Sequence, residues 1–165
     1  MKRIVFGTIG LAIYLISEGR PDFSGSWAID PARSHFGPMA PPAVFERTIR
    51  QTPNLMHSFT HQSGQNGDSH TNVQFSLDGK DNLISLHGDQ AHVTGKWMMS
   101  NLIVETKRKN AEGDIVSSET WSLEEGGKAL LIQAKLTRGK SVFPMTLYLL
   151  RQSPPIQPEA AKTRD

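Results

Sequence analysis

Cysteine is absent from all 165 residues. That excludes disulfides, thiolate metal sites, thiol catalysis and lipid attachment through sulfur, so the fold must rest on its packed core. Charge of one sign is also scarce. The formal net charge is +2, too small an excess to mark a nucleic-acid partner. The one dense basic run, Lys107-Arg108-Lys109, is explained by a solvated strand end beside a turn. No apolar run is long enough to span a bilayer. The longest, residues 4–16, would reach about 20 Å as a helix, against a hydrocarbon core of about 30 Å. Helical periodicity is missing after residue 22. So are a G-x-S-x-G elbow and a Gly-rich phosphate loop leading into a helix. The acid pair Glu124–Glu125 falls in a turn, where solvated carboxylates are expected. The sequence therefore names no catalytic residue, and it implies no cofactor.

What is present begins with an N-terminus that reads as an export signal, its rivals being an uncleaved anchor and an ordinary first strand or helix. Residues 1–3, Met-Lys-Arg, supply positive charge ahead of the apolar segment, and Ser17 and Gly19 suit the −3 and −1 positions of a cleavage site. The expected organisation is a signal peptide over 1–19, one domain over 20–152, and a disordered Pro-rich tail over 153–165. The mature protein would be periplasmic or secreted, with no integral membrane span. A 37% hydrophobic and 21% charged composition argues against wholesale disorder.

From residue 22 onward, apolar and β-branched stretches alternate with short turn clusters. Strands are predicted near 24–30, 44–52, 55–62, 70–77, 82–87, 91–99, 102–109, 115–123, 129–138 and 142–151. The connections are short enough for hairpins and leave no room for βαβ crossovers. A meander this long hides its edges by closing, so the fold class is all-β: an up-and-down antiparallel barrel of eight to ten strands. A turn at Ser100–Asn101 would set Trp97 opposite Val104 and Lys96 opposite Glu105. Two segments interrupt the series. Residues 30–43 hold four prolines and predict a long ordered loop or lid, and residues 63–69 predict a polar, Gly-rich tip.

Six histidines raise the question of a metal. His57 and His61 share a strand face with Leu55 and Phe59, but four residues along a strand is about 13 Å. Two ligands of one ion, each about 2 Å from it, cannot lie that far apart. No metal site is expected from His57, His61, His70 or His92, and polar lining of a cavity is the reading preferred for them. Val73, Phe75 and Leu77 share one face of their strand. Arg108 shares a face with Val104 and Thr106, and Glu119 with Trp121 and Leu123. An interior Arg can hold a ligand carboxylate through paired hydrogen bonds. The alternative is that Arg108 and Glu119 sit at the rim or neutralise one another. The candidate ligand-binding residues are thus His57, Phe59, His61, Phe75, Arg108 and Glu119.

Gly25-Ser26-Trp27, near the start of the first strand, resembles the G-x-W signature of the lipocalin and fatty-acid-binding barrel superfamily. The resemblance implies that Trp27 plugs one end of the barrel and that an Arg near the end of the last strand packs over it. Arg151 is the candidate, with Arg138 behind it, and Gly25, Trp27 and Arg151 together would close the barrel. Residues 95–136 are also similar to the hairpin series of fatty-acid-binding-type barrels and of small exported bacterial lipocalin-like domains. One departure stands out: fatty-acid-binding proteins place a helix pair after the first strand, and here that position holds the Pro-rich loop. Residues 27–38 resemble the opening of the periplasmic polyisoprenoid-binding barrels, with the Ser34–His35 order reversed. These resemblances imply binding of a small apolar or amphipathic, lipid-like molecule in the barrel. The alternative is an envelope interaction module with a filled barrel, meeting partners through loops 30–43 and 63–69.

Overall fold

The computed structural model describes residues 19–65, 67–110 and 113–153. Apart from Gly19 and Ser153, the expected signal peptide and tail lie outside the described residues. Ten strands follow in chain order: β1 (Gly25–Ile29), β2 (Val44–Gln51), β3 (Leu55–Gly64), β4 (Gly67–Ser76), β5 (Asn82–Leu86), β6 (Asp89–Met98), β7 (Asn101–Asn110), β8 (Gly113–Glu124), β9 (Ala129–Arg138) and β10 (Ser141–Gln152). They are the ten strands the turn clusters predict, with ends moved by a few residues. All lie in one sheet of order β4-β3-β2-β1-β10-β9-β8-β7-β6-β5, and every ladder is antiparallel. The first and last strands pair, Trp27 opposite Arg151, which rolls the meander into a barrel.

Two connections differ from the sequence reading. Residues 63–69 are mostly strand: β3 and β4 pair as far as Gly64 and Gly67. The expected polar loop is a tight hairpin tip. The β6–β7 turn is at Met99–Ser100, with Met98 opposite Asn101, so Trp97 meets Leu102 and Lys96 meets Ile103. Met99 takes the left-handed conformation the turn needs (φ 57°). The register slips by two residues, an even number, so every side chain keeps its face.

The barrel is not hydrogen-bonded all the way round, because β4 and β5 are the two ends of the sheet. Near the Trp27 end this seam is stitched by side chains and loop backbone. Asn82 Nδ2 donates to Val93 O (3.1 Å) and Ser76 Oγ (3.2 Å), while its Oδ1 accepts from Ser76 N (3.2 Å). Gly79 N donates to Gly95 O (2.8 Å). Gly95 is required here. A Cβ on it would lie 2.5 Å from Phe75 Cε2 and 3.0 Å from Ser76 O. Gly95→Ala is expected to cost about 1–3 kcal/mol through overpacking, seen as a lower urea midpoint. An unchanged midpoint would show that the seam has slack.

The closed end is aromatic. Trp27 is buried, and its Nε1 donates to Phe23 O (3.0 Å). Phe23 stacks on Trp97 (5.8 Å, 7°) and meets Trp121 edge-on (6.0 Å, 87°). The segment before β1 thus fills this end with its own phenyl ring. Gln51 holds it there, accepting from Phe23 N (3.1 Å) and donating to Pro21 O (2.9 Å). The Arg151 guanidinium lies over the Trp27 ring at 4.2 Å and donates to Ser24 O (2.6 Å) and Gly127 O (2.8 Å). Gly25 makes room for it. Its φ is +137°, and a Cβ would sit 2.5 Å from Arg151 Nη1.

The Pro-rich segment after β1 is a strap. His35 exchanges backbone hydrogen bonds with Thr146 (2.7 and 2.8 Å), continuing along β10 where β1 stops. Ala43 N then donates to Ser63 O (2.9 Å). Arg33 locks its start: Nε donates to Asp30 (2.7 Å), Nη1 donates to Glu125 (2.7 Å), and the guanidinium covers the Tyr148 ring at 4.0 Å. Arg33 hydrogen bonding holds the Asp30 carboxyl below its usual range. Tyr148, and after it Arg33, does the same to Glu125.

Candidate ligand-binding cavity

Alternation decides what reaches the barrel interior, because successive side chains on a strand point to opposite faces. On β2 the inward set is Phe45, Arg47 and Ile49. On β3 it is Met56, Ser58 and Thr60, and on β4 it is Thr71, Val73 and Phe75. The register sets Met56 against Phe75, Ser58 against Val73 and Thr60 against Thr71. Phe45, Ile49, Met56, Ser58, Thr60 and Phe75 are buried.

Above the aromatic floor lies a cavity of about 170 Å³. Its apolar wall is Val73, Phe75, Ile84, Leu86, Val93, Val104 and Trp121, and its polar groups are Arg47, Ser58, Thr60, Thr71, His87, Thr106 and Glu119. All the strands that line it come from β2 to β8, so it sits against the β4–β5 seam rather than beneath β9 and β10. None of residues 30–43 lines it. The strap is therefore part of the wall near β10 and not a lid over this cavity.

Arg47 is the residue that gives the cavity a chemical character. Nε donates to Thr60 Oγ1 (3.0 Å), and the guanidinium lies over the rings of Phe45 (5.3 Å) and Trp121 (5.2 Å). The residue keeps some accessible surface, but its Nη1 is enclosed and has no hydrogen-bond partner. Burial pushes its pKa down, and the Glu119 charge partly offsets this. An Arg remains protonated at any physiological pH, so the head is a buried cation. Glu119 does not neutralise it by contact. Its Oε1 accepts from Ser117 Oγ (3.1 Å) and its Oε2 from Trp121 Nε1 (2.7 Å). These bonds turn the carboxylate toward its own strand, and no ion pair with Arg47 forms.

The six sequence candidates do not come together. Phe75 and Glu119 line the cavity. His57, Phe59 and His61 are on the outer face of β3, which corrects the expectation that they line the interior. Their row carries Leu55 and Phe59 against Met56 on the other, but the hairpin register gives the inside to Met56, Ser58 and Thr60. Arg108 is set apart. It faces Ile115 across the β7–β8 ladder, lies 3.8 Å from Asp89, and borders a separate open concavity with Lys107 and Lys109. Glu119 is four positions further along β8, opposite Val104. Arg108 and Glu119 therefore neither share a site nor neutralise one another, and the cation near Glu119 is Arg47. An Arg between two apolar residues on one face of β2 was a signal available in the sequence.

No protein-family model matches the chain, and no curated protein matches it. Solved structures do. A secretory abundant heat soluble protein from Ramazzottius varieornatus superposes with a TM-score of 0.58 at 11% identity, over 78% of this chain and 94% of that one. The zebrafish ileal bile-acid-binding protein complexed with cholic acid gives 0.53 at 11%, over 79% and 98%. The Schistosoma mansoni fatty-acid-binding protein in complex with arachidonic acid gives 0.52 at 10%, over 79% and 96%. The fold is the antiparallel barrel that these structures share. At these identities the likeness is one of architecture, and it bears out the barrel class read from the meander and the G-x-W motif. Within this barrel the seam, the plugged end and the interior cation are properties of the present side chains.

Proposed function

We propose that the protein is an exported barrel that holds a small amphipathic molecule with an anionic head, seated against Arg47. The observation that carries this reading is Arg47 in the lining of the cavity, with its guanidinium in no ion pair with Glu119 and its enclosed Nη1 without a hydrogen-bond partner. A buried donor without a partner costs about 1–3 kcal/mol, more if charged, and a ligand carboxylate would remove that cost. The hydroxyls of Ser58, Thr60, Thr71 and Thr106 offer further polar contacts, and the apolar wall toward Ile84 and Leu86 takes the hydrocarbon part. At about 170 Å³ the cavity is smaller than the roughly 300–1,000 Å³ of sites for drug-sized ligands, so a short or slender molecule suits it. Cholic acid and arachidonic acid, the ligands of two structural neighbours, are both amphipathic carboxylates. Export rests on the charged and apolar residues at the N-terminus, and implies a periplasmic or secreted site of action. The reading as a filled interaction module has less support, since 63–69 is a hairpin tip and 30–43 is strapped to β10.

Calorimetric titration with straight-chain carboxylates from six to twelve carbons, each beside its matching alcohol, tests the reading. Carboxylates are expected to bind about tenfold or more tightly than the alcohols, as charge-assisted hydrogen bonds do. Affinity should rise by about 0.8 kcal/mol per added CH₂ until the chain outgrows the cavity. Equal binding of acids and alcohols, or none by either, would reject it.

A further inference from the structure

On the outer face of the β3–β4 hairpin we infer a binding site for a divalent transition-metal ion, formed by His61, His70 and Asp68. Distance along one strand excludes His57 and His61 as joint ligands. The hairpin register changes the question, because it sets His61 directly opposite His70. Directly opposed residues of an antiparallel pair have Cβ atoms about 4.5–5.5 Å apart, close enough for two imidazoles to reach one ion. The rings already lie face to face, with centroids 4.6 Å apart and planes 15° from parallel.

Asp68 supplies the third donor, two residues before His70 and on the same face. One carboxylate oxygen is 2.7 Å from His61 Nε2, and the other is 3.5 Å from His70 Nε2. One ligand atom from each residue can be chosen so that all three lie within 4.8 Å of one another. Tetrahedral bonds of about 2.0–2.2 Å place ligand atoms roughly 3.2–3.5 Å apart. The two distances belong to different oxygens of Asp68, so the exposed carboxylate has to rotate to bring one oxygen to an ion shared with both imidazoles. Asp68 and His70 are exposed and His61 is half-buried, so small side-chain rotations are inexpensive. The remaining coordination positions face solvent and would hold water.

A fourth residue supports this assignment. Glu46 on β2 is the cross-strand partner of His61. Its Oε2 lies 4.0 Å from His61 Nδ1, the ring nitrogen that does not face Asp68. Metal-ligating histidines commonly donate their second N–H to a carboxylate, which fixes the tautomer and raises ligand basicity. Glu46, His61 and His70 thus form one row across three strands, with the carboxylate 4.0 Å from the far nitrogen of the first imidazole and in reach of it after a side-chain rotation. Two nitrogens and one oxygen suit Zn²⁺ or Cu²⁺ better than Mg²⁺ or Ca²⁺, which prefer all-oxygen sites. His92 on β6 pairs with Asp81 (2.6 Å), which immediately precedes β5. No third donor joins that pair among the described residues, so it serves as an internal control.

The test is calorimetric titration of the untagged full chain with Zn²⁺ alone, beside the variants His61→Ala, His70→Ala, Glu46→Gln and His92→Ala. One equivalent of Zn²⁺ is expected to bind. Each of His61→Ala and His70→Ala should weaken it by about tenfold or more, and Glu46→Gln by about tenfold, within the range seen for outer-shell partners. His92→Ala should leave it unchanged. Circular dichroism melts should coincide with the parent, because the altered side chains project from the outer face. Zn²⁺ affinity indifferent to His61 and His70, or half an equivalent bound with concurrent dimerisation, would overturn a site within one chain.

Discussion

Trp27→Ala is expected to lower the stability of the barrel by about 3–5 kcal/mol, as truncation of a large buried aromatic does. The residue is 1% exposed, so nearly all of its apolar surface is recovered from water on folding. Truncation opens a void beside Phe23 and the inner ends of β1 and β10. It leaves Phe23 O without the indole N–H at 3.0 Å. It also strips the Arg151 guanidinium of the ring it covers at 4.2 Å, a contact of about 0.5–2 kcal/mol. For a domain of this size the melting temperature should fall by roughly 10–20 °C. Urea denaturation followed by far-UV circular dichroism measures the change. A loss below 1 kcal/mol would mean that Phe23, Trp97 and Trp121 close this end without Trp27.

Arg47→Met is expected to separate function from stability in the opposite sense. Methionine keeps the length of the apolar stem and removes the charge. Replacing a buried charged group by an apolar one of similar volume is commonly neutral or stabilising by about 1–4 kcal/mol, and here the charge makes no contact ion pair with Glu119. The variant should therefore melt at or above the parent temperature. Binding should change far more. The preference for carboxylates over matching alcohols should disappear, a loss of about tenfold or more for the acids with little change for the alcohols. Two outcomes would count against the proposed function. One is destabilisation by several kcal/mol, which would make Arg47 a structural counter-charge to Glu119. The other is an unaltered preference for acids.

The barrel was legible in the sequence because its hairpins are short and its turns are marked by Gly, Asn and Asp. Alternation also assigned the faces of β4, β7 and β8. It failed on β3, where Leu55 and Phe59 on one face compete with Met56 on the other, and the inner face carries the hydroxyls of Ser58 and Thr60. Composition cannot rank those two rows, but the hairpin tip can. Once Gly64 pairs with Gly67, Met56 must share a face with Phe75, and the histidines turn outward. Treating 63–69 as a loop concealed that register. It also concealed the pairing of His61 with His70, since contacts across strands depend on the turn between them. Arg47 was missed for a different reason. The reasoning that singled out Arg108, a cation on an apolar face, applies to Phe45-Arg47-Ile49 as well. What distinguishes the two is position along the strand: Arg108 is near the β7–β8 tip, and Arg47 is midway along β2.

The pairing of β1 with β10 has a consequence for how the chain reaches this state. Of the nine ladders, eight join strands that follow one another, seven of them across short loops and β1–β2 across the strap of residues 30–43. Only β1–β10 is remote, and the hydrogen bond from Arg151 to Ser24 spans 127 positions. Closure entropy grows slowly with loop length, but a pairing this remote still slows folding relative to local contacts. Eight ladders can form between successive strands, and the ninth must wait for the two halves to curl together. Trp27, Gly25 and Arg151 lie at that joint. The residues that plug the barrel are thus also the latch on which its assembly finishes, and both halves of the chain must be folded before the latch can engage.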